Sequence, residues 1–350
     1  MLSLFQILIS CRADFQSHTS TFTGNPHSSS LIDGSLKESL AQCLRHFYPF
    51  AGRISDNPKS GEPEIICNNS GALVVEAQAS ISLDEFDFYN LNKSLQGKLV
   101  SVDHHFPVQV QITSYICGGI SMTFTFDHAL GDASAFSKFL VAWSEIAMKK
   151  PISCSPDHSR SLRARFPPTY DPSLDGEFVS CTMEEICKIP TFSILLKRLY
   201  YIDESSINRL QRLASANGNK RTKIEAFSAY IWKVMANAID KNHECCKIGW
   251  NLIDWVECHR PGLMISKNVL GLGGPALVIS SGRRFPVAEL DFGFGSPVLG
   301  TVCSTIERLG VGYINQRQSA GRDGSWTVSA ILWPEMWRHL NQILITYFSQ

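Results

Sequence analysis

Hydrophobic and polar residues alternate through residues 108–126 of this 350-residue chain. The apolar side chains stand at even positions: Val108, Val110, Ile112, Ile116, Ile120, Met122, Phe124 and Phe126. Because successive side chains of a strand point to opposite faces, the stretch predicts two strands with one buried face. Gly118 and Gly119 lie mid-run and suit a two-residue hairpin turn. If the extended backbone continues, the same parity directs His128 inward.

Apolar residues at helical spacing predict two helices in the first half of the chain. One covers residues 36–50 and is stopped by Pro49 and Gly52, and we expect a strand after that turn. The other repeats at Phe136, Phe139, Leu140 and Trp143 and continues to about residue 146. His128 therefore lies on a turn between a strand and a helix.

Two further segments at the start of the chain read as strands. Residues 1–10, "MLSLFQILIS", are apolar over too short a stretch to span a bilayer, and we expect a buried strand there, with a cleaved signal peptide as the alternative. Residues 64–77, "EIICNNSGALVVEA", predict a hairpin, because Asn68, Asn69 and Gly71 supply turn residues between two apolar runs.

The second half of the chain mixes helices and strands in the same way. A helix is predicted near 203–216, and residues 222–225 have the Thr-x-x-Glu pattern of a capping box before another helix. Strands are predicted within 268–282 and 325–332. Residues 149–178 hold five prolines without apolar periodicity, which is typical of a surface connection.

These elements predict an α/β protein of two domains with mixed sheets. The predicted division places an N-terminal domain at residues 1–148, a crossover linker at 149–178 and a C-terminal domain at 179–350. Hydrophobic residues make up 44% of the chain and charged residues 18%, which fits a globular protein.

The charge balance and the cysteines restrict the classes of partner and compartment. Basic and acidic residues number 32 each, so no net charge attracts nucleic acid or an anionic membrane. Eleven cysteines without a C-x-x-C pair indicate free buried thiols in a reducing compartment. We therefore expect a cytoplasmic monomer that acts on small molecules, with no metal site.

His128 and Asp132 form an H-x-x-x-D motif on the predicted strand-to-helix turn. A neutral imidazole can accept a proton from an alcohol or amine as it attacks an acyl group, and such base catalysis contributes ~10²–10⁴ in rate. Asp132 could orient the ring, or it could anchor the turn through a distant arginine. The tight turn containing Gly131 favours the anchoring role.

A second motif, D-F-G-F-G at residues 291–295, follows in the other half of the chain. With the first, it resembles the plant BAHD acyltransferases, which carry H-x-x-x-D and then D-F-G-W-G; Phe294 replaces the tryptophan here. Four more segments resemble that family: "LKESLAQCLRHFYPFAGR", "IICNNSGALVVEA", "YICGGISMTFTFDH" and "TKIEAFSAYIWK". The resemblance spans most of the chain.

The resemblance implies two chloramphenicol-acetyltransferase-like domains with a solvent channel between them and His128 midway along it. It implies His128 as general base and Ser280 as a candidate donor to the oxyanion. It also implies a structural role, away from the channel, for Asp291, Gly293 and Gly295. The expected substrates are an acyl-coenzyme A donor, such as a hydroxycinnamoyl thioester, and a plant alcohol or amine, without an acyl-enzyme or a tightly bound cofactor.

The chain departs from the family pattern in ways that leave alternatives open. Alanine stands at position 133, where relatives more often have glycine, and we expect a mild effect. Near residues 247–261 several dozen residues of the family pattern are missing, including the arginine that pairs with the motif aspartate. We therefore expect an incomplete second domain, and a truncated, inactive paralogue is the alternative function. A condensation domain is disfavoured, since Asp127 stands where it has another histidine.

Overall fold

A computed structural model describes the following residues: 4–11, 34–85, 103, 105–159, 164–182, 185, 195–238, 251–260, 262, 264–267, 276–282, 287–304, 311–320, 323–334 and 336–338. The helices whose bounds the structure describes are α1 Gly34–His46, α2 Ala133–Ala147, α3 Glu204–Ala214, α4 Lys223–Ala238 and α5 Asn251–His259. The strands there are β1 Leu4–Cys11, β2 Arg53–Asp56, β3 Pro63–Ile66, β4 Leu73–Ala79, β5 Val108–Tyr115, β6 Ile120–Asp127, β7 Phe178–Ser180, β8 Leu196–Ile202, β9 Met264–Ser266, β10 Ala276–Ser281, β11 Pro297–Ser304, β12 Val311–Gln318 and β13 Trp326–Leu332.

Five strands form the first sheet, in the order β11, β1, β6, β5 and β4. Its neighbouring strands are antiparallel except β4 and β5. The strand predicted at the start of the chain is β1, which pairs on both sides. The predicted hairpin joins β5 to β6, but its loop is the four residues 116–119 and not the two glycines alone; the Tyr115 N–H donates to the Gly119 carbonyl at 3.0 Å. Helices α1 and α2 cover one face of this sheet and share a core with it.

The prediction that β5 and β6 bury only one face is wrong. Their even positions are buried beneath the helices, but the polar odd positions are buried as well, and Thr113 and Thr125 are 3% and 2% exposed. Gln111 Nε2 finds a partner by donating to Thr113 Oγ1 at 3.2 Å, whereas the Thr123 hydroxyl is buried without a hydrogen-bond partner among the described residues. Ile116, which the pattern counted as buried, lies in the turn and is exposed.

The hairpin predicted at residues 64–77 does not form. β3 pairs with β2 in a separate two-stranded sheet, whereas β4 joins β5 in parallel. Arg53 holds the connecting segment by donating to the carbonyls of Gly71 at 2.8 Å and Ser70 at 3.1 Å. The Gly71 N–H donates to the Ala51 carbonyl at 3.0 Å. The turn residues therefore carry the chain from one sheet to another, because each strand finds a better partner elsewhere.

The first sheet is completed by a segment from the second half of the chain. Residues 287–304 end in β11, which pairs with β1, and the side chains of Val287, Leu290 and Phe292 are buried in the first core. The predicted division placed this segment in the second domain, so the first sheet is built from both halves. The rest of that division stays a prediction.

Four strands form the second sheet, in the order β10, β12, β13 and β8. β10 and β12 are parallel and the other pairs are antiparallel. Helices α3 and α4 cover one face, where Phe227 and Ile231 pack on Ile314 and Val328. The predicted capping box is present at the start of α4: Thr222 N–H donates to the Glu225 carboxylate at 2.7 Å, and Glu225 N–H donates back to the Thr222 hydroxyl.

Within its described part, the predicted connection at residues 149–178 contains one short 3₁₀ turn and ends at Phe178, the first residue of β7. Helix α5 holds it in place through the buried carboxylate of Asp254. That carboxylate accepts from the backbone N–H groups of Arg165 at 2.9 Å and Thr169 at 3.1 Å, and it pairs with the Arg165 guanidinium. The hydrogen bond from the Arg165 N–H is the main reason that the pKa of Asp254 is lowered.

Six cysteines have side chains that the structure describes, and these six are free thiols: Cys43, Cys67, Cys117, Cys154, Cys181 and Cys258. Cys43 is buried in the first core, and burial raises the pKa of its thiol to about 12. The prediction of buried thiols does not extend to the others: Cys67, Cys117, Cys154 and Cys258 are exposed. No helix in the described ranges is both long and apolar enough to cross a bilayer.

Candidate active site

His128 begins a 3₁₀ turn directly after β6, because the strand ends at Asp127. The Asp127 carboxylate accepts from the Ala129 N–H at 2.9 Å and caps this turn. The extended backbone that would have directed His128 inward therefore stops one residue too early, and His128 is exposed. Its ring meets the edge of the Phe136 ring, with centroids 6.0 Å apart. The predicted inward orientation is wrong, and an exposed imidazole follows the last residue of the central strand β6 instead.

Asp132 is the N-cap of α2. Its side chain accepts from the Ala135 N–H at 2.9 Å, and its carbonyl accepts from the Phe136 N–H at 3.1 Å. Within the described residues Asp132 has no ion-pair partner. The carboxylate therefore anchors the turn through the helix backbone, whereas the predicted anchor was a distant arginine.

The rest of the motif turn explains why glycine stands at 131 and alanine is tolerated at 133. A Cβ atom at Gly131 would lie 2.8 Å from the Cβ of Ala135, too close for any larger side chain. Ala133 is the first residue of α2 and is absent from the described residues with positive φ. Alanine suits helical backbone, so the mild effect expected at this position agrees with the structure.

Buried aromatic side chains pack β6 against α2 on the two sides of the motif turn. Phe126 stacks on Phe136 with centroids 4.4 Å apart, and Phe139 meets Phe126 edge-on at 5.9 Å. These three side chains have no solvent exposure. Since β6 and α2 are locked together on both sides of the turn, the backbone at His128 has little freedom to move.

The D-F-G-F-G segment packs against α2 in the first core. Ser144 Oγ donates to the Asp291 carbonyl at 2.8 Å and accepts from the Asp291 N–H at 2.9 Å. The Asp291 carboxylate accepts from the N–H groups of Gly293 at 2.8 Å and Gly295 at 3.1 Å. Both glycines have left-handed backbone, with φ of 97° and 86°. Phe292 meets the Trp143 ring at 4.9 Å. These contacts fasten the segment to the first sheet.

Ser280 lies on β10, at the edge of the second sheet, and is partly buried. It pairs in register with Asn315 on β12. His128 and Ser280 thus belong to different sheets, and the structure records no contact between them. The two sheets adjoin where β11 of the first contacts β13 of the second.

Sequence reasoning missed the polar pair beside Ser280. Asn315 and Arg317 are each 2% exposed, and Arg317 Nη2 donates to Asn315 Oδ1 at 2.8 Å. The sequence feature that marks this pair is the run of polar residues at 315–318 within a strand. A buried charged residue in a strand is rare enough to mark a place of interest.

The remaining question about the site is which side chains could bind phosphate groups or a metal ion. The basic pair Lys149 and Lys150 follows α2, and Lys149 has a φ of 55°; the pair Arg283 and Arg284 lies outside the described residues. The described part of the chain contains no group of three metal-ligating side chains. The expected absence of a metal stays a prediction.

Comparison with protein families places the chain clearly. The model of the Transferase family matches residues 10–249 and 240–342, two stretches that meet at 240–249. The overlap lies beside residues 247–261, where the sequence led us to expect a shortened segment.

Similar curated proteins are plant acyltransferases. Omega-hydroxypalmitate O-feruloyl transferase of Arabidopsis thaliana is 30% identical over 58% of this chain and 48% of its own length. Hydroxycinnamoyl-CoA:5-hydroxyanthranilate N-hydroxycinnamoyltransferase of Avena sativa is 28% identical over 58% of this chain and 49% of its own. The chain thus spans about half the length of the curated relatives that it matches.

The fold also matches a solved structure. The crystal structure of vinorine synthase superposes with a TM-score of 0.66 at 18% identity, over 99% of this chain and 91% of that one. The α/β fold with mixed sheets flanked by helices is therefore the chloramphenicol-acetyltransferase-like fold expected from the sequence. On the family match over both halves and the shared fold, the chain belongs to the plant BAHD acyltransferase family.

Proposed function

We propose that the protein transfers an acyl group from acyl-coenzyme A to a hydroxyl or amino group of a small metabolite, with His128 as general base. The observation that carries this proposal is the placement of His128. It is exposed on a short turn whose two ends are fixed by side-chain caps, from Asp127 and Asp132. A general base needs an accessible nitrogen on a backbone that does not move.

The proposed reaction uses the imidazole in two steps. His128 accepts the proton from the nucleophile as its oxygen or nitrogen bonds to the thioester carbonyl carbon, and the carbonyl electron pair moves to oxygen. When the tetrahedral intermediate collapses, that pair re-forms the carbonyl and the carbon–sulfur bond breaks. His128 then returns the proton to the sulfur of coenzyme A. Base catalysis of this kind contributes about 10²–10⁴ in rate.

Relatives guide the choice of acyl donor. The names of the two relatives above specify feruloyl and hydroxycinnamoyl groups, and they include one O- and one N-acyltransferase. We propose an aromatic acyl donor of this class for the present chain. The acceptor is either an alcohol or an amine, because the motif supplies a base suited to both.

A catalytically inactive paralogue is the second candidate function. It is favoured by the half-length match to the curated relatives and by the family match in two stretches. If core contacts or sheet pairing were lost in the second half, the loss in free energy would be large compared with a total free energy of unfolding of about 5–15 kcal/mol. A binding role without turnover follows from the same fold if the substrate channel is incomplete.

Measuring thiol release from feruloyl-, hydroxycinnamoyl- and benzoyl-coenzyme A with panels of alcohols and amines distinguishes these candidates. The acylated product is identified by mass spectrometry. We expect the wild type to release coenzyme A and His128→Ala to lose that release. His105→Ala is the matched control, since His105 is also exposed and precedes β5 at the same end of the sheet. No release above background by the wild type would leave the inactive paralogue, whereas equal rates above background for wild type and His128→Ala would show that His128 is not the base.

A further inference from the structure

The face of the second sheet that is turned away from α3 and α4 carries an unexpected polar row. Ser280, Asn315 and Ser329 lie side by side across β10, β12 and β13, because Asn315 pairs in register with both of the others. Asn315 and Ser329 are 2% and 4% exposed. Towards the β10 edge the face opens: Ser280 is partly buried and its strand neighbour Val278 is 45% exposed.

The orientation of the Asn315 amide is fixed by its neighbour. Arg317 Nη2 lies 2.8 Å from Asn315 Oδ1. A guanidinium has only donors, so the atom that faces it must be the amide oxygen. The Nδ2 group, with both of its N–H bonds, is therefore turned away from Arg317. Within the described residues, this bond from Arg317 is the one side-chain hydrogen bond that Asn315 forms.

Gly282 makes room for this arrangement next to Ser280. A Cβ atom at Gly282 would lie 3.0 Å from Asn315 Oδ1 and 3.0 Å from the Cβ of Arg317. The Gly282 N–H also donates to the Gln316 carbonyl at 2.7 Å, which keeps the end of β10 in register with β12. The glycine, the amide and the guanidinium therefore form one close-packed unit beside the Ser280 side chain.

We propose that Asn315 is a second catalytic donor, which binds the same substrate oxygen as Ser280. Neighbouring strands lie ~4.8 Å apart. Two donors that each lie about 2.8 Å from one oxygen can be up to about 5.6 Å apart, so side chains on adjacent strands of one face can share it. This proposal rests on the proposed acyl transfer and adds a residue to its site.

The contribution of Asn315 is electrostatic. As the nucleophile adds, the carbonyl electron pair moves to oxygen, and a preorganised N–H donor stabilises the charge that develops there. Asn315 forms and breaks no covalent bond and loses no proton. Because Arg317 fixes the amide before substrate binds, the donor needs no reorientation during the reaction. Loss of one such donor lowers kcat by about 10²–10³.

Asn315→Asp is the sharpest test, since it keeps an oxygen for Arg317 and removes the N–H donors. We expect kcat to fall about 100- to 1000-fold, with the dissociation constant for free coenzyme A and the melting temperature unchanged. Asn315→Leu removes the donor without adding charge, and we expect a loss in the same direction. Ser329→Ala is the matched control on the same face, and it should retain wild-type kcat.

A binding measurement separates failure of this inference from failure of acyl transfer. The probe is a phosphonate analogue of benzoyl-coenzyme A, whose anionic oxygen stands in for the oxyanion. We expect Asn315→Asp and Asn315→Leu to weaken its binding about 100-fold. If wild type turns over and both variants keep kcat and phosphonate affinity within twofold, Asn315 is no donor, although acyl transfer stands. If both variants fail to fold, its role is structural; a wild type that neither turns over nor binds the probe overturns both proposals.

Discussion

Two aspartates frame His128, and each acts on the backbone. Asp127 caps the 3₁₀ turn that His128 begins, and Asp132, four residues after His128, caps α2. The H-x-x-x-D spacing thus follows from two successive caps. His128 lies between the Asp127 cap and the Asp132 cap, and both fix the backbone around it.

Replacing Asp132 tests whether capping is its main role. Asp132→Ala loses the cap, and we expect its free energy of unfolding to fall by about 1 kcal/mol in urea titrations. Asp132→Asn keeps an oxygen that accepts from the Ala135 N–H, so its stability and its turnover should stay near wild type. Turnover lost in Asp132→Asn at unchanged stability would show instead that the charge acts on His128.

Replacing Gly293 tests whether the D-F-G-F-G segment needs the left-handed backbone that glycine adopts there. With φ of 97°, it has a conformation that a Cβ disfavours, and Gly293→Ala should lower the free energy of unfolding by about 1–2 kcal/mol. Gly176→Ala is the matched control, because φ there is not in the left-handed region and a new Cβ would meet open space. Equal denaturation midpoints for the two variants would contradict this assignment.

At the scale of elements, two of three local predictions are confirmed, whereas the hairpin predicted at residues 64–77 fails because its two strands pair with other strands. The β5–β6 hairpin and the capping box of α4 depend on residues within a few positions of each other, and both are present. The pairing of β4 with β5 and of β11 with β1 joins segments far apart in sequence, which composition and periodicity do not encode. His128 was found by motif, but its exposure depends on where β6 ends, and Asn315 was missed because its significance arises from register with Ser280.

The N-cap of α3 gives a pH dependence that can be measured. Hydrogen bonds from the Ser205 hydroxyl and then from Ser206 lower the pKa of Asp203 to about 2. In the unfolded chain this pKa is about 3.9. The folded pKa is the lower one, so the stabilisation is present above about pH 4 and is lost as the pH falls towards 2.

Asp203→Asn removes this titration and keeps a capping oxygen. We expect the difference in free energy of unfolding between wild type and Asp203→Asn to be constant above about pH 4 and to shrink as the pH falls towards about 2. Urea titrations at a series of pH values measure it. A difference that stays constant down to about pH 2.5 would show that Asp203 keeps an ordinary pKa in the folded protein.

At the scale of the whole molecule, α5 ties the two halves together. Asp254 forms an ion pair with Arg165 of the connection. Arg260, which follows the helix, donates two hydrogen bonds to the Glu62 carboxylate, at 2.6 and 2.7 Å. Glu62 precedes β3 in the first half. Helix α5 and the residue that follows it therefore contact both the connection and the first half of the chain.

Removing the Asp254 carboxylate should release the connection from α5. We expect Asp254→Ala to be cut faster than wild type by a broad-specificity protease within residues 164–177, because three donors lose their acceptor. Val256→Ala, at an exposed position of the same helix, is the control and should be cut at the wild-type rate. Cleavage of Asp254→Ala at the control rate would mean that other contacts hold the connection.

The proposed acyl transfer depends most on His128 as the general base. Single-turnover kinetics test that step directly. Wild type and His128→Ala, each saturated with hydroxycinnamoyl-coenzyme A, are mixed rapidly with an acceptor found by the substrate panel, and thiol release is followed. We expect the rate of the chemical step to fall about 10²–10⁴-fold in His128→Ala, with donor affinity unchanged. Equal single-turnover rates for the two proteins would contradict the account.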